Sequence, residues 1–274
     1  MSRIFRTTVS HSILIWGVLL MIVPLWLVFA SSTHTNSFIY NEGMQWKIGG
    51  EFFENYDRVL NRKGGFTKEI TASGIFYNSF IMAFGIASLS VFVSMMAAYS
   101  LVYFKTRFST LFFWLIFVTL LVPLELRILP SYQIVSDLNL LNSYAGLILP
   151  LSASAIATFF FRQYYRSIPE ELLEAAKLDG ANSWKFFIDF LVPLSKTMIA
   201  AMFIFMFVYG YNQYLWPLIM TTSEKYWTVV MGLKMIYGGN SVDRYTYVIL
   251  SLIPPVIIIV FLQRLFIQGL FQSK

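Results

Sequence analysis

Glu170, Glu171, Glu174, Lys177, Asp179, Lys185, Asp189 and Lys196 all fall within Ser167–Lys196, and the sequence on either side is close to unbroken hydrocarbon. Charge at this density between apolar runs has to sit in water. Helix formers dominate the stretch, so what it offers is the chemistry of a solvated, structured element rather than a slack loop. Ser167 and Glu170 have the capping-box spacing, and Pro169 suits a first helical turn. The acidic residues then lie at the positive end of the helix dipole. Asp179-Gly180 ends this helix, because glycine takes the left-handed conformation needed after a C-cap. Asn182 or Ser183 caps a second short helix with Phe186, Phe187 and Phe190 as its apolar stripe, and Pro193 breaks or kinks the chain beyond it. Two readings fit. One is an amphipathic connector on a membrane surface. The other is a docking element, in which Ala175 and Ala176, with Gly180 beside them, let the helix approach a partner while Glu174 and its neighbours set orientation.

A second polar group runs through Tyr209-Gly210-Tyr211-Asn212-Gln213-Tyr214-Leu215-Trp216-Pro217. Tyr209, Asn212, Gln213 and Trp216 are spaced to share one helical face, and amides with aromatic edges suit the hydroxyls of a polyol or sugar. Interhelical hydrogen bonding together with an aromatic belt accounts for the same residues. Arg127, two residues after Glu125, is either half of an interfacial ion pair or a guanidinium that meets an anionic solute at the outer mouth. No catalytic residues are expected, since no Ser-His-Asp or paired-carboxylate arrangement stands out. The chain has no phosphate loop ending in Gly-Lys-Ser/Thr. His11 and His34 are far apart, and with 0 cysteines neither a disulfide nor a metal site is expected.

Membrane spans must position these groups. Of 274 residues, 57% are hydrophobic and 12% charged, and mean hydropathy is +0.65, which places the chain among all-α polytopic membrane proteins. The net charge of +6 fits anchoring of loops to membrane lipid rather than nucleic acid. Six transmembrane helices are expected at about 12–30, 77–104, 108–124, 145–161, 197–220 and 245–263, with the polar segment 167–196 between the fourth and fifth, all in one transmembrane domain over 1–274. The first run also reads as a signal peptide, with Ala30-Ser31-Ser32 as a cleavage site, but its length and Pro24 favour an uncleaved span. Residues 31–76 pack on the outer face, with a turn over Asn61–Gly65. Residues 128–144 form a short outer helix or re-entrant segment. An outer loop over 221–244 contains Gly238-Gly239, and 264–274 is a short inner tail. Arg3, Arg6, Lys105, Arg107, Arg162, Arg166 and Arg264 then flank spans on one side, which puts both termini in the cytoplasm. These spans contain no Asp, Glu, Lys or Arg, which argues against a proton- or sodium-coupled transporter.

Glu174-Ala175-Ala176, Asp179-Gly180-Ala181, Phe187 and Val192-Pro193-Leu194 together resemble the EAA signature of ATP-binding-cassette importer permeases. The resemblance implies that the polar stretch is the cytoplasmic coupling helix, seated in a cleft of a separate ATPase chain. Glu174, Ala175, Ala176, Asp179, Gly180 and Pro193 would be its coupling residues. Asn78-Ser79, Pro123 through Pro130, Ser143-Tyr144-Ala145-Gly146, Phe161-Arg162-Gln163, Tyr211 through Leu218 and Gln263-Arg264 look like the maltose-type carbohydrate group. Phe112–Pro130, Asn142–Leu151, Pro193–Thr197 and Ile253–Phe266 are similar to the second-permease type of sn-glycerol-3-phosphate importers. That likeness implies a permease subunit of the prokaryotic cytoplasmic (inner) membrane, working by alternating access on sn-glycerol-3-phosphate or glycerophosphodiesters. It implies a heterodimer with a second permease subunit, an ATPase homodimer holding ATP and Mg, and a periplasmic or lipid-anchored solute-binding protein met by residues 221–244. It also implies that the tail after Gln263-Arg264 reaches the ATPases. No cofactor is expected on this chain. A permease for a neutral sugar, and a membrane scaffold that transports nothing and needs no ATPase, are the competing functions.

Overall fold

A computed structural model describes residues 3–61, 70–104, 106–235 and 240–271. The expectations placed on Gly64-Gly65, Lys105, Gly238-Gly239 and the last residues of the tail lie outside these. All regular elements among the described residues are helical. In chain order they begin with α1 (Arg3–Ser31), α2 (Asn36–Glu42), α3 (Phe52–Asn61) and α4 (Ala72–Tyr103). Then come α5 (Ser109–Val118), α6 (Leu124–Asp137), α7 (Tyr144–Ile148) and α8 (Ala155–Arg166). The polar stretch holds α9 (Glu170–Leu178), α10 (Ser183–Lys185) and α11 (Val192–Leu194), the last two joined by a π-helical turn over Phe186–Leu191. The chain continues through α12 (Lys196–Tyr211), α13 (Leu215–Met220), α14 (Val229–Met235) and α15 (Ser241–Phe271).

Three helical stretches are long and apolar enough to cross a bilayer unaided: Thr7–Ser31, Ala72–Tyr103 and Ser241–Leu265. Three further pairs qualify only when each bent pair counts as one span. Ser109–Leu121 meets Leu124–Asp137 at 105°, Tyr144–Leu151 meets Ala155–Arg166 at 46°, and Ser183–Leu194 meets Lys196–Tyr211 at 76°. The expected spans at 108–124, 145–161 and 197–220 fall on helices that bend or break. Proline explains where they break. Val122, ahead of Pro123, is extended, as the residue before proline prefers. Pro150 sits in a 3₁₀ turn. α12 stops at Tyr211 and α13 starts anew at Leu215, with Pro217 in its first turn, where the missing amide hydrogen is tolerated. At about 1.5 Å per residue, the 16 residues of α12 rise only about 24 Å, short of the roughly 30 Å hydrocarbon core.

The chain divides into two compact units, Met1–Phe76 with Met231–Ile253 and Tyr77–Val230 with Pro254–Lys274. In the first, the polar segment after α1 is folded by side chain to backbone bonds. Asn55 Nδ2 donates to the carbonyls of Ser32 and His34, both at 2.9 Å, and Thr33 Oγ1 accepts the amide of Gly49 at 2.7 Å. Arg58 Nη2 donates to Asp243 Oδ1 at 2.7 Å and to Asn55 Oδ1 at 2.7 Å, which ties α3 to α15. In the second unit, small residues let helices close up: a Cβ on Gly210 would lie 3.1 Å from Ala83 Cα.

Arg58 and Asp243 are 22% and 28% exposed, so neither charge is well solvated without the other. Asp243→Asn is expected to lower stability by about 1–3 kcal/mol. The check is thermal unfolding in detergent; an unchanged midpoint would contradict a structural role for the pair.

Candidate functional site

The breaks in two spans open a cavity of about 350 Å³ within the second unit. Pro123, Leu124, Glu125 and Arg127 line it from the start of α6, and Ser154, Ala155 and Ile156 from the start of α8. Phe205, Met206 and Tyr209 of α12 complete the wall with Gln213 from the break beyond it. Two helix N-termini thus open on one space, and the positive ends of their dipoles favour an anion there. Ser154 Oγ caps α8 by accepting the amide of Ala157 at 3.2 Å.

Arg127, Tyr209 and Gln213 share this cavity, although the first is far from the others in sequence. Glu125 and Arg127 both act electrostatically on Tyr209. The expected single face of Tyr209, Asn212, Gln213 and Trp216 does not form, because the helix ends between them. Asn212 is exposed, and its Nδ2 donates to the carbonyl of Val208 at 3.0 Å. Trp216 is fully buried and donates from Nε1 to the carbonyl of Leu147 at 3.2 Å. Gln213 Nε2 donates to the carbonyl of Tyr209 at 3.2 Å, so both amides also cap the end of α12. Of the two alternatives for Arg127, the ion pair with Glu125 does not form. Arg58, by contrast, does pair, with Glu54 and Asp243. Residues two apart on a helix point in different directions.

The polar stretch is built as two short helices around a turn. Ser167 does not open α9. Its Oγ donates to the carbonyl of Tyr164 at 2.7 Å, closing α8, and α9 starts at Pro169 without a side-chain cap. The other end follows the sequence. Gly180 has φ +74°, its amide donates to the carbonyl of Lys177 at 3.0 Å, and the amide of Ala181 donates to Ala176 at 2.9 Å, the two bonds of a Schellman ending. Asn182 Oδ1 then accepts the amide of Lys185 at 2.8 Å. Pro193 is followed by the 76° bend at Ser195, as expected of a breaker.

Ala175 and Ala176 separate. Ala176 is buried in this chain's own core, with Val91, Met95 and Tyr99 of α4, Phe161 of α8, and Phe186, Phe187 and Leu191 of the π-helical turn. Ala175, Glu174, Asp179 and Gly180 are exposed, and Leu178 is 89% exposed. Adjacent helical residues sit about 100° apart, so the two alanines cannot serve one face. Ala176 is small where α9 packs against α4.

Three tyrosines that the sequence reading passed over hold this seat. Tyr99 OH donates to the carbonyl of Ser183 at 2.8 Å, Tyr103 OH to Tyr165 at 3.4 Å, and Tyr164 OH to Leu194 at 2.6 Å. Their place at span ends resembles an aromatic belt, which hides the role. Asn78 has a structural part that its place in the Asn78-Ser79 motif does not show. Its Nδ2 donates to the carbonyls of Lys225 and Trp227 at 2.7 and 3.0 Å while Oδ1 accepts from Tyr144 OH at 2.6 Å, so it fastens the loop after α13 to α4 and α7. No group of three or more His, Cys, Asp or Glu residues able to hold a metal occurs among the described residues.

A family described as "Binding-protein-dependent transport system inner membrane component" matches residues 90–272. The sn-glycerol-3-phosphate transport system permease protein UgpE of Shigella flexneri serotype 5b is 42% identical over 278 residues, covering 100% of this chain and 99% of that protein. UgpE of Escherichia coli K12 is 41% identical over 278 residues, with the same coverage. Among solved structures, a chain of a bacterial ABC transporter involved in the import of the acidic polysaccharide alginate matches with a TM-score of 0.79, covering 96% of this chain and 98% of that one. At 21% identity this is a likeness of fold.

The opposite environments of the two alanines are directly testable. Ala176→Leu should overpack the seat and destabilise the chain by about 1–3 kcal/mol. Ala175→Leu should stay within about 0.5 kcal/mol. Thermal unfolding in detergent and amide exchange over α9 read the difference.

Proposed function

This chain belongs to the family of binding-protein-dependent transport system inner membrane components, and we propose that it is a permease subunit of an ATP-driven importer of sn-glycerol-3-phosphate or its glycerophosphodiesters. The observation that carries the substrate reading is the cavity that joins Arg127 to Tyr209 and Gln213. A guanidinium at two helix N-termini suits a phosphate group, and an amide with a phenol suits glycerol hydroxyls. End-to-end likeness to permeases named for sn-glycerol-3-phosphate transport supports the same solute. Because Arg127 and Glu125 are exposed in the single chain, the space opens onto a surface that a second permease subunit would cover.

In this reading the chain lies in the inner membrane with both termini in the cytoplasm, and α9 is the coupling helix. Exposed Glu174, Ala175, Asp179 and Gly180 meet an ATPase chain of a homodimer, which carries the ATP and Mg. Closure of the ATPases moves α9. The buried Ala176 seat and the bonds from Tyr99 and Tyr164 keep α9, the π-helical turn and α11 together as one body. Motion then passes across the bend after Pro193 into α12, which carries Tyr209 at the cavity wall. The loop beyond α13 meets a periplasmic or lipid-anchored binding protein, and its bonds to Asn78 support a fixed shape there.

The test is ATPase activity of the reconstituted complex with its binding protein. sn-Glycerol-3-phosphate or glycerophosphocholine should stimulate it, and maltose should not. Arg127→Gln should lower transport of the phosphorylated solute by about tenfold or more with assembly unchanged, the loss of a charge-assisted contact. Stimulation by maltose alone would contradict the phosphate reading. No stimulation by any ligand in an assembled complex would contradict the importer role.

A further inference from the structure

Two guanidinium groups stand one helical turn apart at the end of α8, and among the described residues no carboxylate forms an ion pair with either. Arg162 and Arg166 line a second cavity, of about 320 Å³, with Val102 and Tyr103 of α4 and Leu173 of α9. Glu170 is the acidic residue of the lining, and its charge acts on Tyr103. The charge that acts on Arg162 is that of Arg166, and like charges four residues apart repel.

Arg162 is also held in position. Its guanidinium carbon stands 3.8 Å from the centre of the Phe113 ring. Stacking occupies a flat face of the group and leaves its N–H edge for an oxyanion. Arg166, exposed and one turn on, extends the same donor set toward the surface. Phe113 is buried, but its neighbours Leu111, Phe112, Trp114 and Leu115 on α5 are 53–56% exposed, an apolar face that hydrocarbon would cover. A pair of cations, one partly buried and one exposed, beside such a face at the end of a span has the chemistry of a headgroup site.

We propose that Arg162 and Arg166 bind the phosphate group of an anion at the membrane surface. The apolar face of α5 makes the headgroup of an anionic phospholipid the favoured source. The bound phosphate bridges the two guanidinium groups and removes their mutual repulsion. The site is separate from the cavity at Arg127 and does not depend on which solute is transported.

The assembled transporter in nanodiscs of phosphatidylglycerol and phosphatidylcholine provides the test, with retained lipid read by native mass spectrometry. The wild type should retain phosphatidylglycerol, and Arg162→Gln with Arg166→Gln should lower that retention by about tenfold. Replacing both with lysine should restore part of it, because charge returns without the planar fork. Modification of the two arginines by phenylglyoxal separates the sources. Protection by phosphatidylglycerol but not by inorganic phosphate identifies a lipid, and equal protection by inorganic phosphate moves the source to the soluble pool while keeping the site. Equal lipid retention by wild type and the double glutamine variant, with assembly intact and neither anion protecting, would overturn the proposal.

Discussion

A bilayer offers no water to a backbone group released from a helix, so every break inside a span must find its own hydrogen bonds. This constraint organises the second unit. Around Pro150, Ser152 Oγ donates to the carbonyl of Leu149, while Ser90 and Ser94 of α4 reach the carbonyls of Leu151 and Ser154. Beyond Tyr211, Asn212 and Gln213 turn their own amides back on α12, and Trp216 closes the carbonyl of Leu147. Thr119 does the same for Ile116 ahead of Pro123. The polar residues of the spans are first of all what makes broken helices possible. Irregular backbone at this depth is stable only where protein or a wet cavity receives it, and two of these breaks border the 350 Å³ cavity.

The same economy applies to the polar stretch. Nine residues of α9 are too few to hold a helix by propensity alone. Ala176 is the residue that docks it on α4, and the tyrosines at the ends of α4 and α8 bind the backbone on either side of the π-helical turn. The result is a short helix, exposed along the face that carries Glu174 and Ala175, but fixed to the span ends beneath it. A push on that face is borne by packed side chains rather than dissipated in a loop. Such rigidity is what transmission across the bend at Ser195 into α12 requires.

Much of this was legible in the sequence, and the parts that were not share a cause. Hydropathy marked the apolar runs that α1, α4 and α15 occupy, and Asp179-Gly180 predicted the turn that Gly180 makes at φ +74°. Proline was ambiguous. Pro24, Pro130, Pro254 and Pro255 sit inside continuous helices, whereas Pro123, Pro150 and Pro193 accompany the bends and Pro217 follows the break between α12 and α13. What sets most of the breaking prolines apart is polar company able to satisfy freed carbonyls, such as Ser152, Asn212 and Gln213. Periodicity drawn through such a break fails, which is why Asn212 and Trp216 left the face assigned to them. Ala175 and Ala176 looked alike because a motif records residue size but not direction. Arg127 could be paired with Tyr209 only by the fold, since no local spacing joins α6 to α12.

The account rests on the cavity being a watered path for solute rather than a gap filled by hydrocarbon. The chain has 0 cysteines, so single cysteines report cleanly on it. In the assembled transporter, Ser154→Cys and Gln213→Cys should react with a charged, water-borne thiol reagent and be protected by sn-glycerol-3-phosphate, while Ala87→Cys, in the buried core of α4, should not react. Failure of both cavity positions to react in every nucleotide state, with transport intact, would contradict it.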